Sequence, residues 1–482
     1  MAPMTRSKMA APGLFNISED DAPAVPVVPA APKENRTAPN DATSLADSED
    51  SFDTVPPVYT IDLSLPPAQR YIQVAKDYKL IVEGLVTLFD ELLDSAKLPK
   101  KPMHWIAKVL LRRLYSKEQT EELRGISKVV GVPMYLMVAY NVLLDLFMGC
   151  TSGGAVVKEP GSRGTRMMHF RTLDWEMNSL RKAIVQFEYK EKPDGEIVAR
   201  TINYVGFVGV LTGVRQGLSV SLNFRPYHNN DKSKLSNVKF YANYLLVLLG
   251  FRPSICAHLR NFVLPSVSDE KMKKKKKKRQ VKGKEDSSHE APSNIPSHSI
   301  TDIARSFPSV PTTAAYLIFC DGTQVLVLEK DRVSAKPLTS PTFLTVTNHD
   351  TSYEEKPTTT TAAATAATAQ SAHSQAATHN DTNKFGTGMQ EIVEESMDRK
   401  GCMVAKWEKR CRRLRQQGRQ EVVLVEQLKE WLLDDPVANE QTHFAAIMDP
   451  TKGRFEWVRC FEDAGAEGND GVENGRGGEM PD

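Results

Sequence analysis

Cys150 stands in the stretch LLDLFMGCTSGGAVV (143–157), where an apolar, helix-like run gives way to small and β-prone residues. A thiol attacks a carbonyl carbon only as its thiolate, so a nucleophile there needs a group to take its proton. The chain has 10 histidines, His169 and His349 among them, but neither lies in a pattern typical of Cys–His hydrolases, and both read as scaffold or surface residues. The other base open to a cysteine is its own α-amino group, with an ordinary pKa of about 7.7 to 8.0. That group exists only if the chain is cut between Gly149 and Cys150. Gly149, with the hydroxyls of Thr151 and Ser152, suits the tight turn that self-cleavage is expected to need. Downstream, HFRTLDW sets Arg171 and Asp174 three apart, near the end of a strand expected to run antiparallel to the one that Cys150 opens. A guanidinium beside a thiol lowers its pKa and holds a carbonyl, while a carboxylate orients an ammonium. Taken alone, the same residues also fit a buried structural cysteine and a structural ion pair.

The elements that must hold these groups come in two textures. From Pro66 to Phe147 the apolar residues recur with helical period, in KDYKLIVEGLVTLFDELLDSA, KPMHWIAKVLLRRLYS, SKEQTEELRGISKVVG and PMYLMVAYNVLLDLF. Pro102 and Pro133 lie near helix starts, and about four helices are expected. After Cys150 the pattern is of strands: TRMMHFRTLDW, AIVQFEY, ARTINYVGFVGVLTG, LSVSLNF, AAYLIF, QVLVLEK and FAAIMDPTKGRFEWV. Asp194-Gly195 and Asp321-Gly322 between such runs are hairpin chemistry. A helical span precedes the Lys tract (VKFYANYLLVLLGFRPSICAHLRNFV), and another runs from about 388 to 433. The fold class is α+β, with Cys150 at the seam between a helical segment, 56–149, and a mixed segment, 150–463.

Composition bounds the partners. Ten of the 62 basic residues fall in 271–284 with no acid among them, so the remainder carries fewer bases than the 60 acids. A nucleic-acid role would rest on that tract alone and none is expected. Residues 1–55 and 464–482, and insertions at 267–300 and 352–384, are too polar or repetitive to bury a core and are expected to be disordered. The 6 cysteines show no CxxC pair and no zinc spacing, so neither a disulfide framework, a metal nor a cofactor is expected. No apolar run of signal-peptide or membrane-spanning length is visible, Asn141 and Asp145 breaking the best candidate. The apolar faces of the helices before Cys150 read mainly as core, with a peripheral membrane-contacting patch as the second reading.

From YTIDLSLPP (59–67) to HFAAIMDPTKGRFEWVRC (443–460) the chain resembles the acid ceramidase and N-acylethanolamine-hydrolysing acid amidase family of N-terminal nucleophile hydrolases. The pieces that carry this are GCTS (149–152), FRTLDW (170–175), YVGFVGVLTGVRQGLSVSLN (204–223), VTNHD (346–350) and MDRK (397–400). The resemblance implies an αββα sandwich of antiparallel sheets with an N-terminal helical α-subunit, and autocleavage between Gly149 and Cys150 into an α/β heterodimer. It implies Cys150 as nucleophile and first residue of a β-subunit, Arg171 and Asp174 beside it, Asn348 as an oxyanion donor and Arg399 as a second active-site arginine. It implies hydrolysis of a lipid amide, ceramide first and N-acylethanolamine second, in a lysosome or vacuole. A non-catalytic lipid-binding relative is the rival from another class. Two departures stand out. Phe224 follows Asn223 where relatives often carry an acid, with Arg225 retained, and residues 1–149 contain no cysteine for a subunit-linking disulfide.

Overall fold

The computed structural model describes residues 54–84, 86–95, 97–143, 149–158, 161, 164–175, 177–229, 234–264, 299–354 and 388–462. The expected disordered segments lie outside the described residues except at their edges. At those edges Thr54 pairs with Cys460, a helix begins at Ile300, and a single 3-10 turn spans Thr351–Tyr353.

The segment before Cys150 opens with a strand that its helical texture conceals, β1 (Val58–Asp62). Six short helices follow: α1 (Ile72–Asp77), α2 (Lys79–Gly84), α3 (Val86–Ser95), α4 (Lys100–Leu110), α5 (Lys117–Val130) and α6 (Met134–Leu143). The first expected helix is therefore broken into pieces. α5 is delimited by its ends: the Ser116 hydroxyl accepts from the Gln119 N–H, and Gly131 closes it at φ 76.

After Cys150 run β2 (Gly149–Lys158), β3 (Thr165–Asp174), β4 (Ile184–Lys190), β5 (Ile197–Tyr204), β6 (Thr212–Arg215) and β7 (Leu218–Phe224). α7 (Lys234–Leu248) and α8 (Ile255–Val263) come next, then α9 (Ile300–Ser306). The span read as one helix before the Lys tract is thus two, because Gly250 sits at φ 68 and Pro253 follows. The chain returns through β8 (Ala315–Cys320), β9 (Val325–Lys330), β10 (Ala335–Ser340) and β11 (Phe343–Val346). It ends with α10 (Gly388–Gln416), α11 (Val425–Leu433), β12 (Thr442–Asp449) and β13 (Arg454–Cys460). Gly418 at φ 64 divides the last expected helix in the same way. Both hairpins expected at Asp194-Gly195 and Asp321-Gly322 form, joining β4 to β5 and β8 to β9. No helix among the described residues is long and apolar enough to cross a membrane.

The strands make an eight-stranded sheet, β1-β4-β5-β6-β7-β8-β9-β10, and a five-stranded one, β11-β2-β3-β12-β13. Among the described strands all pairings are antiparallel except one: β1 lies parallel to β4 in a five-residue register from Val58 opposite Gln186 to Asp62 opposite Lys190. This corrects the expectation of purely antiparallel sheets, and its cause is topological. A strand far upstream in sequence reaches β4 through the helices between, a crossover that permits parallel pairing.

Alternation along β2 and β3 decides what faces what. Ala155, Val157, Met168 and Phe170 join Met403 of α10 and Leu428 and Leu432 of α11 in one buried cluster. Val156 and Met167 point the other way and cluster with Tyr316, Ile318, Val325 and Val327 of the eight-stranded sheet. His169 follows Met167 on that inner side, its two ring nitrogens 3.0 and 2.8 Å from the hydroxyls of Ser219 and Ser221 on β7. Burial pushes its pKa down to about 3, so it is a neutral tie between sheets, as its scaffold reading anticipates.

Gly153 is required by close approach. A Cβ there would lie 2.0 Å from the Leu344 carbonyl oxygen and 2.7 Å from the Phe170 ring. Since the first contact is to backbone, Gly153→Ala must part β2 from β11. A loss of about 3 kcal/mol in unfolding free energy is expected by denaturant titration.

Candidate active site

Register brings the sequence candidates together. β2 pairs antiparallel with β3, setting Gly149 opposite Asp174, Cys150 opposite Leu173 and Ser152 opposite Arg171. Arg171 therefore sits diagonally across from Cys150 on the same face. Asp174, of opposite parity, faces away beside Gly149. Gly149 opens a strand rather than a turn, which corrects the expected geometry. Its smallness serves contact instead, because a Cβ at 149 would lie 3.2 Å from Asp174 Cβ and 3.4 Å from its Oδ2.

The sulfur is wholly buried and has a polar surround. Arg171 Nη2 lies 3.5 Å from Cys150 Sγ, and the Leu222 carbonyl oxygen 3.9 Å away. Arg171 is aimed by its other nitrogen, Nη1 donating to the Leu211 carbonyl at 2.8 Å, and by the Phe444 ring, whose centroid is 5.9 Å from its Cζ. Its Nε has no hydrogen-bond partner. Burial raises the thiol to about 11; Arg171, Arg399 and the Phe224 backbone N–H pull it down, while Asp174 pushes it up. In the uncut chain the cysteine is thus held as the thiol, next to the cation that would stabilise its anion.

The backbone nitrogen of Cys150 has a partner of its own. It donates to Asn348 Oδ1 at 2.9 Å, and Arg399 Nη2 donates to the same oxygen at 2.9 Å. Two donors on one side fix which end of the amide is oxygen, and the Asn348 NH₂ goes to the Phe224 carbonyl at 2.8 Å. The NH₂ expected to serve an oxyanion is thus already engaged here, while the oxygen faces the Cys150 nitrogen. Asn348 is held from behind, its backbone N–H donating to Ser396 Oγ, which in turn lies 2.8 Å from His349 Nδ1. Ser396 and Arg399 fall one turn apart on α10, so one helix face supports and contacts Asn348.

Asp174 closes the cluster. Its Oδ1 accepts from Thr442 Oγ1 at 2.7 Å, its Oδ2 lies 3.9 Å from Arg399 Nε, and that Oδ2 has no hydrogen-bond partner. Burial raises its carboxyl to about 6, against the lowering by Arg399, Thr442 and Arg171. Cys150, Arg171, Asp174, Asn348 and Arg399 are therefore contiguous, though they come from β2, β3, the β11 exit and α10. Thr442, Ser396 and the Leu211 and Phe224 carbonyls also belong to the site. Of these only Ser396 left a trace in sequence, three residues before Arg399.

A family model described as the beta subunit of N-acylethanolamine-hydrolyzing acid amidase matches residues 54–114. The N-acylethanolamine-hydrolyzing acid amidase of Caenorhabditis elegans is 34% identical over 184 residues, 36% of this chain and 49% of that protein. Acid ceramidase of Mus musculus is 30% identical over 190 residues, 35% of this chain and 45% of that protein. Over these stretches the chain is similar to proteins of the acid ceramidase and N-acylethanolamine-hydrolysing acid amidase family. A solved structure of the Caenorhabditis elegans N-acylethanolamine-hydrolyzing acid amidase ortholog overlays at TM-score 0.38 with 18% identity, covering 65% of this chain and all of that one. The chain spans about half the length of the curated relatives it matches. The family match at 54–114 lies wholly in front of Cys150, on the stretch to which the sequence expectation gave the label of α-subunit. Amidases and ceramidases of this family match at similar identity, so likeness alone does not choose between their substrates.

Proposed function

We propose that this chain is a self-processed cysteine amidase of lipid amides, with ceramide as first substrate and N-acylethanolamine as second. The observation that carries the reading is the convergence on one bond: Arg171 3.5 Å from the Cys150 sulfur, and the Cys150 N–H 2.9 Å from Asn348 Oδ1. In processing, Sγ attacks the Gly149 carbonyl carbon and the thiol proton passes to the departing Cys150 nitrogen. The C–N bond breaks to leave a thioester, and water then cleaves that thioester into a Gly149 carboxylate and a free Cys150 thiol. The protonated Asp174 carboxyl, whose Oδ2 borders Gly149, is placed to supply a proton at that carbonyl or nitrogen.

In turnover the new α-amine takes the thiol proton, and sulfur attacks the acyl carbon of the lipid amide. Charge on the tetrahedral oxygen is met by Arg171, whose Nε has no partner in the uncut chain, and by the Asn348 NH₂ once it releases the Phe224 carbonyl. Collapse expels the amine, which takes back the proton, and water frees the fatty acid from the thioester. Leu80 and Trp105, 82% and 68% exposed on α2 and α4, support peripheral membrane contact during lipid capture. The four-layer αββα arrangement is part of the same reading, supported by helices packed on the outer side of the five-stranded sheet.

The test joins end-group sequencing to turnover. Purified chain held at mildly acidic pH is expected to yield a fragment beginning at Cys150. The cut protein is then expected to release fatty acid from ceramides faster than from N-acylethanolamines of matched acyl length. The reverse order selects the second substrate, and an intact chain with no release of fatty acid selects the non-catalytic lipid-binding relative.

A further inference from the structure

The Asn348 amide meets the Phe224 carbonyl where the two sheets come together. Phe224 ends β7 of the eight-stranded sheet, and Val346, two residues before Asn348, ends β11 of the five-stranded one. Residue 224 serves this junction through its backbone, its carbonyl taking the Asn348 NH₂ at 2.8 Å while its side chain joins the main core cluster. That division accounts for a phenylalanine where relatives often carry an acid: the junction uses the peptide group of residue 224, not its side chain. The spacing between the two segments is what matters, because an amide that is to meet a developing oxyanion must be held within a fraction of an ångström of its working position.

The residues on either side of Phe224 hold that spacing. Asn223 donates through Nδ2 to the Val346 and Thr347 carbonyls at 3.1 and 3.2 Å. Its Oδ1 accepts at 2.6 Å from Ser152 Oγ, two residues beyond Cys150 on β2. Arg225, 4% exposed, forks onto Asp350, two residues beyond Asn348, with Nε on Oδ1 at 2.8 Å and Nη2 on Oδ2. The bond between Phe224 and Asn348 is therefore bracketed, on both segments, by its neighbours in sequence. The fork is itself locked. Tyr316 of β8 donates its hydroxyl to Asp350 Oδ1 at 2.9 Å, the Asp350 N–H donates to the Tyr227 hydroxyl, and Arg225 Nη2 also reaches Asn229 Oδ1 at 2.9 Å. A charge pair buried in this way adds little net stability over an apolar pair of the same volume. What it supplies is direction, since a planar guanidinium on a carboxylate fixes angle as well as distance.

We infer that Arg225 and Asp350 are positioning residues of the proposed amidase site, acting through the Asn348 amide, with Asn223 as the second bracket. This rests on the reading of Asn348 as an oxyanion donor in a lipid amidase, and the experiment carries two readouts so that the two can fail separately. The full chain is compared with Arg225→Lys, which keeps the charge but loses the fork, and with Asp350→Asn, which keeps the shape but loses the charge. The first readout is ceramide hydrolysis, with kcat counted per chain cut before Cys150. The second needs no substrate: hydrogen exchange of the Asn348 side-chain NH₂ by nuclear magnetic resonance, its signal assigned by its loss in Asn348→Asp. The NH₂ of Asn203, which donates to the Gly209 carbonyl at 3.0 Å, is the internal control.

In both variants kcat is expected to fall about 30- to 100-fold while KM stays within about threefold, the mark of a group misplaced in the transition state and not of lost substrate binding. Exchange at Asn348 is expected to quicken about tenfold or more with Asn203 unchanged, whereas a role in stability alone would quicken both together. If neither variant gives a cooperative melt, Tyr316→Phe takes their place. It removes one bond to Asp350 and no charge, and exchange at Asn348 is then expected to rise about threefold. Unchanged exchange at Asn348 in a folded variant, or a loss that falls on KM with kcat kept, overturns the inference. A native chain that neither splits nor turns over ceramide overturns the reading of function instead, and the exchange comparison then decides the inference by itself.

Discussion

Cys150→Ala is expected to leave the chain in one piece and to lower fatty-acid release by on the order of 10⁴-fold or more, as loss of a nucleophile does in other covalent hydrolases. The size of the effect follows from the surroundings of the sulfur. Cys150 is the cysteine whose sulfur lies against Arg171, at 3.5 Å. Cys320, by contrast, is buried against the Met167 carbonyl and pushed far above the ordinary thiol range. Cys150→Ser keeps an atom in place but a poorer nucleophile, so slow, incomplete splitting is expected by gel over days where alanine shows none. A Cys150→Ala chain that released fatty acid at the unaltered rate would remove the basis of the reading.

Asp174→Asn carries the second large effect, and it is read through pH. The native carboxyl titrates at about 6 against an ordinary value of 3.8, chiefly because it is buried. The folded chain therefore binds this proton more tightly than the unfolded chain does. Its contribution to stability is favourable below the ordinary value and is lost as pH rises through about 6, a swing of about 3 kcal/mol. Melting temperatures measured between pH 4 and pH 7 are expected to fall with rising pH for the native chain, after other groups are matched, and to flatten at this step in Asp174→Asn. Processing and turnover are expected to drop about 10²–10³-fold in the variant, because the amide keeps the shape but cannot pass a proton at the Gly149 carbonyl. Equal rates with an unchanged pH profile would assign Asp174 to support alone.

Some of this was readable from the linear text and some could not be. Cys150, Arg171 and Asp174 come from neighbouring strands, so GCTS and FRTLDW, separated by a short connection, carry their own register. Asn348 and Arg399 lie far along the chain, and only the family's motifs pointed to them. Thr442 and the carbonyls of Leu211 and Phe224 had no signal, because a backbone oxygen has no letter and Thr442 reaches Asp174 only through the pairing of β12 with β3. The same distinction holds for the fold. Hairpins at Asp194-Gly195 and Asp321-Gly322 are local chemistry and were legible. β1 was not, since its partner lies more than a hundred residues away. The helix breaks at Gly250 and Gly418 depend on positive φ, and at Gly250 a Cβ would meet the Arg113 carbonyl oxygen at 2.6 Å.

The shared oxygen of Asn348 sets the character of whatever nitrogen is freed at residue 150. If the bond before it is cut as proposed, that atom is left beside a guanidinium bound to the same acceptor, and a permanent positive neighbour resists a second one. An amine in such company gives up its proton more readily than one in open water. The arginine that neither attacks nor leaves would then act as a tuner, keeping the new chain end unprotonated and ready to accept the proton of its own sulfur.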